Sequence, residues 1–299
     1  MSMTAVDLVN MMCWISRFHA TRISRLMKGT DMAQAFSMIP LPAERSTTKP
    51  RTKGCTMMMD WGMPVREQED LMALIAPYVD VAKFVVGTAR LYEEDYLRQK
   101  IGIYEDHQVE PFLGGQFLEF VYSTQGMAGV KPYCEEAKRV GIGAIEVSDN
   151  VVPLSSQDRQ EITRIAVDCG LHVHGEVGSK HDVTTAETLI EQSNEFFEAG
   201  AGVVLVEAAE LVEDGEPNKQ LIDDLAAGLD VTKVFFELPG AWIKGTTTTD
   251  VIYLKKFLID HFGPDVNIAN VLPGNVFETE ALRSHLSFSG PQQINRAAE

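Results

Sequence analysis

An eightfold alternation of short apolar runs with longer amphipathic stretches constrains this chain more than any other feature. The runs are CTMMMD (55–60), VDVAKF (79–84), QVEPFLGG (108–115), AIEVSDN (144–150), HVHGEVG (172–178), GVVLVEAAE (202–210), KVFFELP (233–239) and VNIANVL (266–272). Their starts lie 24, 29, 36, 28, 30, 31 and 33 residues apart. Each run is strand-length and mostly rich in β-branched or aromatic residues. The stretches between them, such as REQEDLMALIAPY, QDRQEITRIAVDCG and TAETLIEQSNEFFEAG, space their apolar residues as helices do. The last two end in glycine, and Ser155 and Thr184 stand where an N-cap belongs. Strand then helix, eight times over, predicts an α/β fold, a (β/α)8 TIM barrel. An open doubly wound sheet is the competing reading. It is weakened because no glycine-rich dinucleotide fingerprint follows the first run.

The alternation starts only after residue 54. The expected division is an N-terminal extension and linker over 1–53, a barrel over 54–288 and a C-terminal tail over 289–299. Within the extension, residues 13–28 hold three arginines and no acid on an amphipathic pattern. That pattern fits a packed helix, and it also fits a mitochondrial transit segment. Residues 39–54, with three prolines and several Ser/Thr, read as linker. The expected location is the cytoplasm, with the mitochondrion as the alternative if 1–53 is a transit segment. Four cysteines form no CxxC or zinc spacing and read as reduced thiols.

Charge narrows the partners. The chain carries −17, yet residues 1–53 hold eight basic and three acidic residues, leaving −22 on the remainder. An acidic body repels nucleic acid and anionic membranes, and no apolar run reaches the ~18 residues of a membrane span. A small anionic or carboxylate substrate would need a metal or local Lys/Arg to bind.

In a (β/α)8 barrel the chemistry sits at the C-terminal ends of the strands. Here those ends are polar: Asp60 on run 1, Lys83 on run 2, Gly114 and Gly115 then Glu119 on run 3, and Glu146, Ser148 and Asp149 on run 4. Glu176 with Lys180 just after it belongs to run 5, Glu207 and Glu210 to run 6, Glu237 to run 7, and Asn267 and Asn270 to run 8. Buried charges cost several kcal/mol unless paired or metal-bound. A ring of carboxylates with few cations implies a divalent ion, and oxygen ligands suit Mg²⁺. His172 and His174 share a strand face with Glu176 but climb it over several layers, so one ion is not expected to touch all three. No GxSxG, HExxH, P-loop or kinase signature is present.

Several segments together resemble phosphosulfolactate synthase, the ComA-type enzyme of coenzyme M biosynthesis. They are KPRTKGCTMMMDWGMP, YVDVAKFVVGTARLY, LGGQFLEFVY, AIEVSDN, GEVGSK, VVLVEAAE, FFELP, VNIANV and ETEALRSHL, in order over about residues 49–288. The resemblance implies a barrel, Mg²⁺, a homo-oligomer and addition of sulfite to phosphoenolpyruvate. It puts the proposed acid at Lys180, with Lys83 and Glu210 beside it as catalytic candidates. Glu146, Glu176 and Glu207 are the metal candidates. Asp60, Gly114, Gly115, Glu119, Ser148, Glu237, Asn267 and Asn270 are the substrate-side candidates. The chain also departs from the family. Where the family reads roughly E-A-R-E-S-G after the sixth run, this chain has Glu207-Ala208-Ala209-Glu210-Leu211-Val212. The lost arginine is a natural bidentate partner for sulfite or phosphate. Its replacement at the mouth is expected from another cation such as Arg90 or Lys244. Three readings follow: a sulfite-adding lyase, a divergent barrel lyase acting on a less anionic carboxylate or carbonyl substrate, and a non-catalytic stress-associated member.

Overall fold

A computed structural model describes residues 35–41, 45–178, 184–213 and 216–287. The eight runs form eight parallel strands: β1 (Thr56–Asp60), β2 (Val81–Phe84), β3 (Glu110–Leu113), β4 (Ala144–Val147), β5 (His172–Val177), β6 (Val203–Val206), β7 (Val234–Glu237) and β8 (Ile268–Val271). They close in the order β1-β8-β7-β6-β5-β4-β3-β2. Around them run α1 (Val65–Ile75), α2 (Glu94–Asp106), α3 (Gly115–Gln125), α4 (Val130–Val140), α5 (Ser156–Asp168), α6 (Ala186–Ala199), α7 (Lys219–Gly228), α8 (Thr248–Phe262) and α9 (Val276–Arg283). The longest spacing in the sequence, between runs 3 and 4, holds two helices, α3 and α4, instead of one. A two-stranded antiparallel ribbon, Val212–Glu213 with Glu216–Pro217, follows β6. The architecture is therefore a (β/α)8 barrel.

Period-2 alternation along the strands builds the site. One set of strand residues forms an apolar layer inside the barrel: Met57, Val81, Phe112, Ala144, Leu205, Phe235 and Ala269. The alternate residues, such as Met58, Ala82, Ile145, Val204 and Phe236, belong to the larger core shared with the helices. Two positions beyond the interior residues come Lys83, Gly114, Glu146, Glu207 and Glu237. The polar strand ends are thus one storey of side chains standing on an apolar floor.

The N-terminal pole is closed by ion pairs. Arg51 Nη2 lies 2.7 Å from Asp80 Oδ2, and Arg45 reaches Asp265 and Glu280, each at 3.0 Å. Residues 45–53, expected to be linker, are thus bonded to the barrel, whose compact unit begins at Pro42. In the other unit, Met1–Leu41, residues 35–38 form a turn. The amphipathic stretch 13–28 lies outside the described residues, as does the tail over 289–299.

Helix starts follow their capping residues. The Ser155 side chain accepts from Asp158 N–H and opens α5, as expected. For α6 the cap is Thr185, accepting from Thr188 N–H, and not Thr184. Two adjacent threonines offer the same chemistry, and the register of the first turn selects the second.

Candidate active site

At the C-terminal pole Lys83 is the hub. Its Nζ lies 2.6 Å from Glu146 Oε2 and 3.4 Å from Glu237 Oε1. The strand between β2 and β4 is β3, and Gly114 beyond its end has no side chain to block the approach; a Cβ there would stand 3.2 Å from Lys83 Cε. Burial alone would lower the Lys83 ammonium. The charges of Glu146, Glu237 and Glu176 outweigh it and hold the pKa above its ordinary value. Burial likewise works against ionised Glu146, but Lys83, the Gly115 N–H and a hydrogen bond with Glu176 keep it below the usual range.

Glu176, Glu207 and Glu237 converge. Each offers a carboxylate oxygen, and these oxygens all lie within 4.8 Å of one another, in buried residues. Burial and the charges of Glu237, Glu146 and Glu207 push Glu176 well above the carboxylate range. Among the described residues four carboxylates face one ammonium, and that deficit of positive charge is what a divalent cation would supply. Glu146, expected among the ligands, is held against Lys83, the start of α3 and Glu176, while Glu237, expected on the substrate side, offers an oxygen to the three-carboxylate group.

The remaining candidates sort by what they touch. Gly115 opens α3 and donates its N–H to Glu146 Oε1 at 2.8 Å. A Cβ on Gly115 would lie 2.1 Å from Ser148 Oγ and 2.9 Å from Glu146 Oε1, so glycine is required for this approach. Ser148 donates to Glu119 Oε1 at 2.5 Å, and Glu119 Oε2 accepts the N–H groups of Val151 and Val152 at 2.7 Å. Glu119 and Ser148 therefore shape the loop after β4. That loop delivers Asn150, whose Nδ2 donates to Glu176 Oε1 at 2.5 Å. Asn150 was missed in the sequence, although it closes the AIEVSDN motif.

Asp60 is enclosed below the mouth. It meets Lys100 Nζ at 2.8 Å, Tyr104 Oη at 2.7 Å, and the N–H groups of Gly62 and Met63, both at 2.9 Å. Asn270 stands at the mouth with φ 60° and a buried Oδ1 that has no hydrogen-bond partner among the described residues. Asn267, expected at the mouth, lies elsewhere. Its Oδ1 accepts Cys55 N–H, and its Nδ2 donates to the carbonyls of Thr232 and Val234, so it ties strand starts together at the opposite pole. It precedes β8, whereas Asn270 lies near its end. Glu210 is buried, and its Oε2 accepts Thr184 N–H at 3.2 Å. Lys180 and His181 lie outside the described residues.

His172 and His174 do not join this site. Both turn to Glu110, with contacts of 2.5 and 3.5 Å. His174 takes its place in the apolar floor, its ring 4.6 Å from that of Phe112. At ~3.3 Å per residue His172 sits about 13 Å along the strand from Glu176.

The site opens into a cavity of about 150 Å³ lined by Lys83, Glu146, Asn150, Glu176, Glu237 and Asn270, with Trp61 and Trp242 at its edge. Val86 also lines it with φ 48°, a strained conformation for a β-branched residue. Arg90 and Lys244 are exposed and do not line it; among the described residues Lys83 is its one cationic wall. No described helix is long and apolar enough to cross a membrane.

Three relatives give the site its context. The phosphosulfolactate synthase of Methanothermobacter thermautotrophicus is 30% identical over 251 residues, covering 80% of this chain and 91% of the relative. That of Methanocaldococcus jannaschii is 29% identical, covering 78% and 92%. Protein HEAT-STRESS-ASSOCIATED 32 of Arabidopsis thaliana is 23% identical, covering 79% and 87%. The sequence profile of (2R)-phospho-3-sulfolactate synthase (ComA) matches residues 44–288. With its barrel, its polar storey and this match over most of its length, the chain belongs to the ComA-type phosphosulfolactate synthase family.

Proposed function

We propose that this chain is a lyase-type synthase that adds sulfite to phosphoenolpyruvate with the help of Mg²⁺. The observation that carries the reading is the convergence of Glu176, Glu207 and Glu237 beside Lys83, at the pole where barrels do chemistry. The donor set fits the ion: all ligands are carboxylate oxygens, buried, and short of positive charge. Bound there, the cation supplies positive charge against the negative charge that builds on the substrate carboxylate.

The chain's own residues do the rest. Lys83 locks Glu146 and Glu237, so the metal side cannot splay open under mutual repulsion. Asn150 fixes the rotamer of Glu176. The Oδ1 atoms of Asn150 and Asn270 are buried without a partner among the described residues and are left to accept a hydrogen bond from a bound molecule. The sulfur lone pair of sulfite forms a bond to the methylene carbon, and the double-bond electrons move toward the carboxylate. A proton then adds to the neighbouring carbon, with no leaving group and no change in the phosphate. By resemblance that proton comes from Lys180. Ala209 replaces the family's arginine, so binding of the dianion leans on the metal and on Lys83 more heavily than in the relatives.

The test is phosphorus NMR of the purified protein with phosphoenolpyruvate, sulfite and Mg²⁺. A new phosphomonoester resonance, absent with Glu207→Gln and with Lys180→Ala, is the expected result. An unchanged phosphoenolpyruvate spectrum from protein that is folded by circular dichroism would overturn the assignment.

A further inference from the structure

A second cavity, of about 580 Å³, adjoins the first at the ends of β7 and β8. Trp61, Trp242 and Asn270 line both, so these three residues form the wall between them. Trp61 comes from the loop after β1 and Trp242 from the loop after β7. Their rings approach each other with centroids 6.2 Å apart. Gly240 makes room for this arrangement, since a Cβ there would fall 2.2 Å from the Trp242 ring.

The second cavity has the position in which barrels often seat phosphate, but its chemistry is different. Its one lysine among the described residues, Lys255, is fully buried and already bonded to Glu278 at 2.5 Å. The start of α8 is occupied by its own acid. Asp250 accepts from Thr247 N–H and from Thr247 Oγ1, while Thr247 caps Asp250 N–H, a complete capping box. With its charges internally matched, the chamber offers mainly carbon: Leu238, Pro239, Val251, Ile252, Val271 and Leu272. An uncharged, carbon-rich group is what such walls stabilise. A three-carbon acid seated at the carboxylates leaves it empty.

We propose that this enzyme accepts enolpyruvate-type acceptors bearing an apolar substituent on the carbon that sulfite attacks, with the substituent lodged past Trp242 in the second chamber. The inference rests on the addition chemistry proposed above and names its substrate class. The step balances as before: one carbon–sulfur bond forms, the double bond is consumed, and one proton is taken up.

The experiment compares phosphoenolpyruvate with its 3-methyl and 3-phenyl analogues under sulfite and Mg²⁺. It reads turnover by phosphorus NMR and binding by tryptophan fluorescence. Two of the chain's three tryptophans flank the chamber, so a ligand entering it alters their emission. Val251→Phe, which pushes a ring from the wall into the chamber, is the variant. The expected result is that at least one substituted analogue is turned over with kcat/KM equal to or above that of phosphoenolpyruvate. Val251→Phe should then lower that ratio by about tenfold or more, the scale of a lost methylene-sized fit. Turnover of phosphoenolpyruvate alone, with no fluorescence change from the analogues, overturns this inference and leaves the addition reaction standing. No turnover of any acceptor, with a fluorescence change that Val251→Phe abolishes, supports the chamber and overturns the addition chemistry. Neither signal overturns both.

Discussion

Replacing Glu176 by Gln separates two effects of one carboxylate. Burial and three neighbouring carboxylates hold the Glu176 pKa well above its ordinary value. A raised carboxyl pKa means that stability falls as pH climbs from the unfolded value, ~4.3, toward the folded one, at about 1.4 kcal/mol per unit. Gln keeps the shape, is neutral at every pH and removes that loss. Without metal, Glu176→Gln should match the wild type near pH 5 and exceed it by about 1 kcal/mol or more at pH 8. With Mg²⁺ the order inverts. Free ion at a hundred times its Kd stabilises the wild type by about 2.7 kcal/mol. In a barrel of this size that raises Tm by roughly 5–10 °C, and the variant, short of one of three ligands, should gain little. Calorimetry at pH 5 and 8, with chelator and with Mg²⁺, reads all four states. Equal stabilisation of both proteins by Mg²⁺ would refute the reasoning, as would a metal-free variant less stable than the wild type at pH 8.

Other outcomes follow from single contacts. Gly115→Ala drives a methyl to 2.1 Å from Ser148 Oγ; it should cost about 1–3 kcal/mol of stability in urea titration and cut turnover more sharply than Tm implies, because Glu146 must move. Lys100→Met leaves Asp60 buried without its ammonium; denaturant unfolding should show a loss of about 3–5 kcal/mol, partly recovered by adding Asp60→Asn. Glu110 is opposed by burial, but its bonds to His174 and His172 win and hold its pKa at about 2. A depressed carboxyl pKa gives stability that is present above the unfolded value and lost as pH falls toward the folded one. The stability advantage of the wild type over Glu110→Gln in denaturant unfolding, about 1–3 kcal/mol, should therefore be full at pH 5 and shrink toward pH 2.

The sequence carried the barrel because strand signals are local: β-branched runs with helical stretches between them need no knowledge of partners. It carried the polar storey for the same reason, since period 2 fixes which residues share a layer. What it could not carry was contact across strands. Lys83 reaches Glu146 because Gly114 leaves the path open over β3, and it also reaches Glu237, whose oxygen clusters with those of Glu176 and Glu207. Asn267 went to the wrong pole because a strand start and a strand end lie only a few residues apart on a short strand. His172 and His174 looked unusual beside Glu176 in the chain, yet the strand rise separates them and Glu110 engages both. The Trp61–Trp242 wall joins loops 181 positions apart in the numbering, and nothing local announces it.

In the proposed mechanism three carboxylates at the barrel mouth hold a divalent cation. Anomalous diffraction from crystals grown with Mn²⁺ in place of Mg²⁺ tests it most directly. The expected result is one strong peak among the carboxylates of Glu176, Glu207 and Glu237, absent in Glu207→Gln crystals. A mouth with no peak, or a peak only at the His172–Glu110–His174 cluster of the opposite pole, would contradict it.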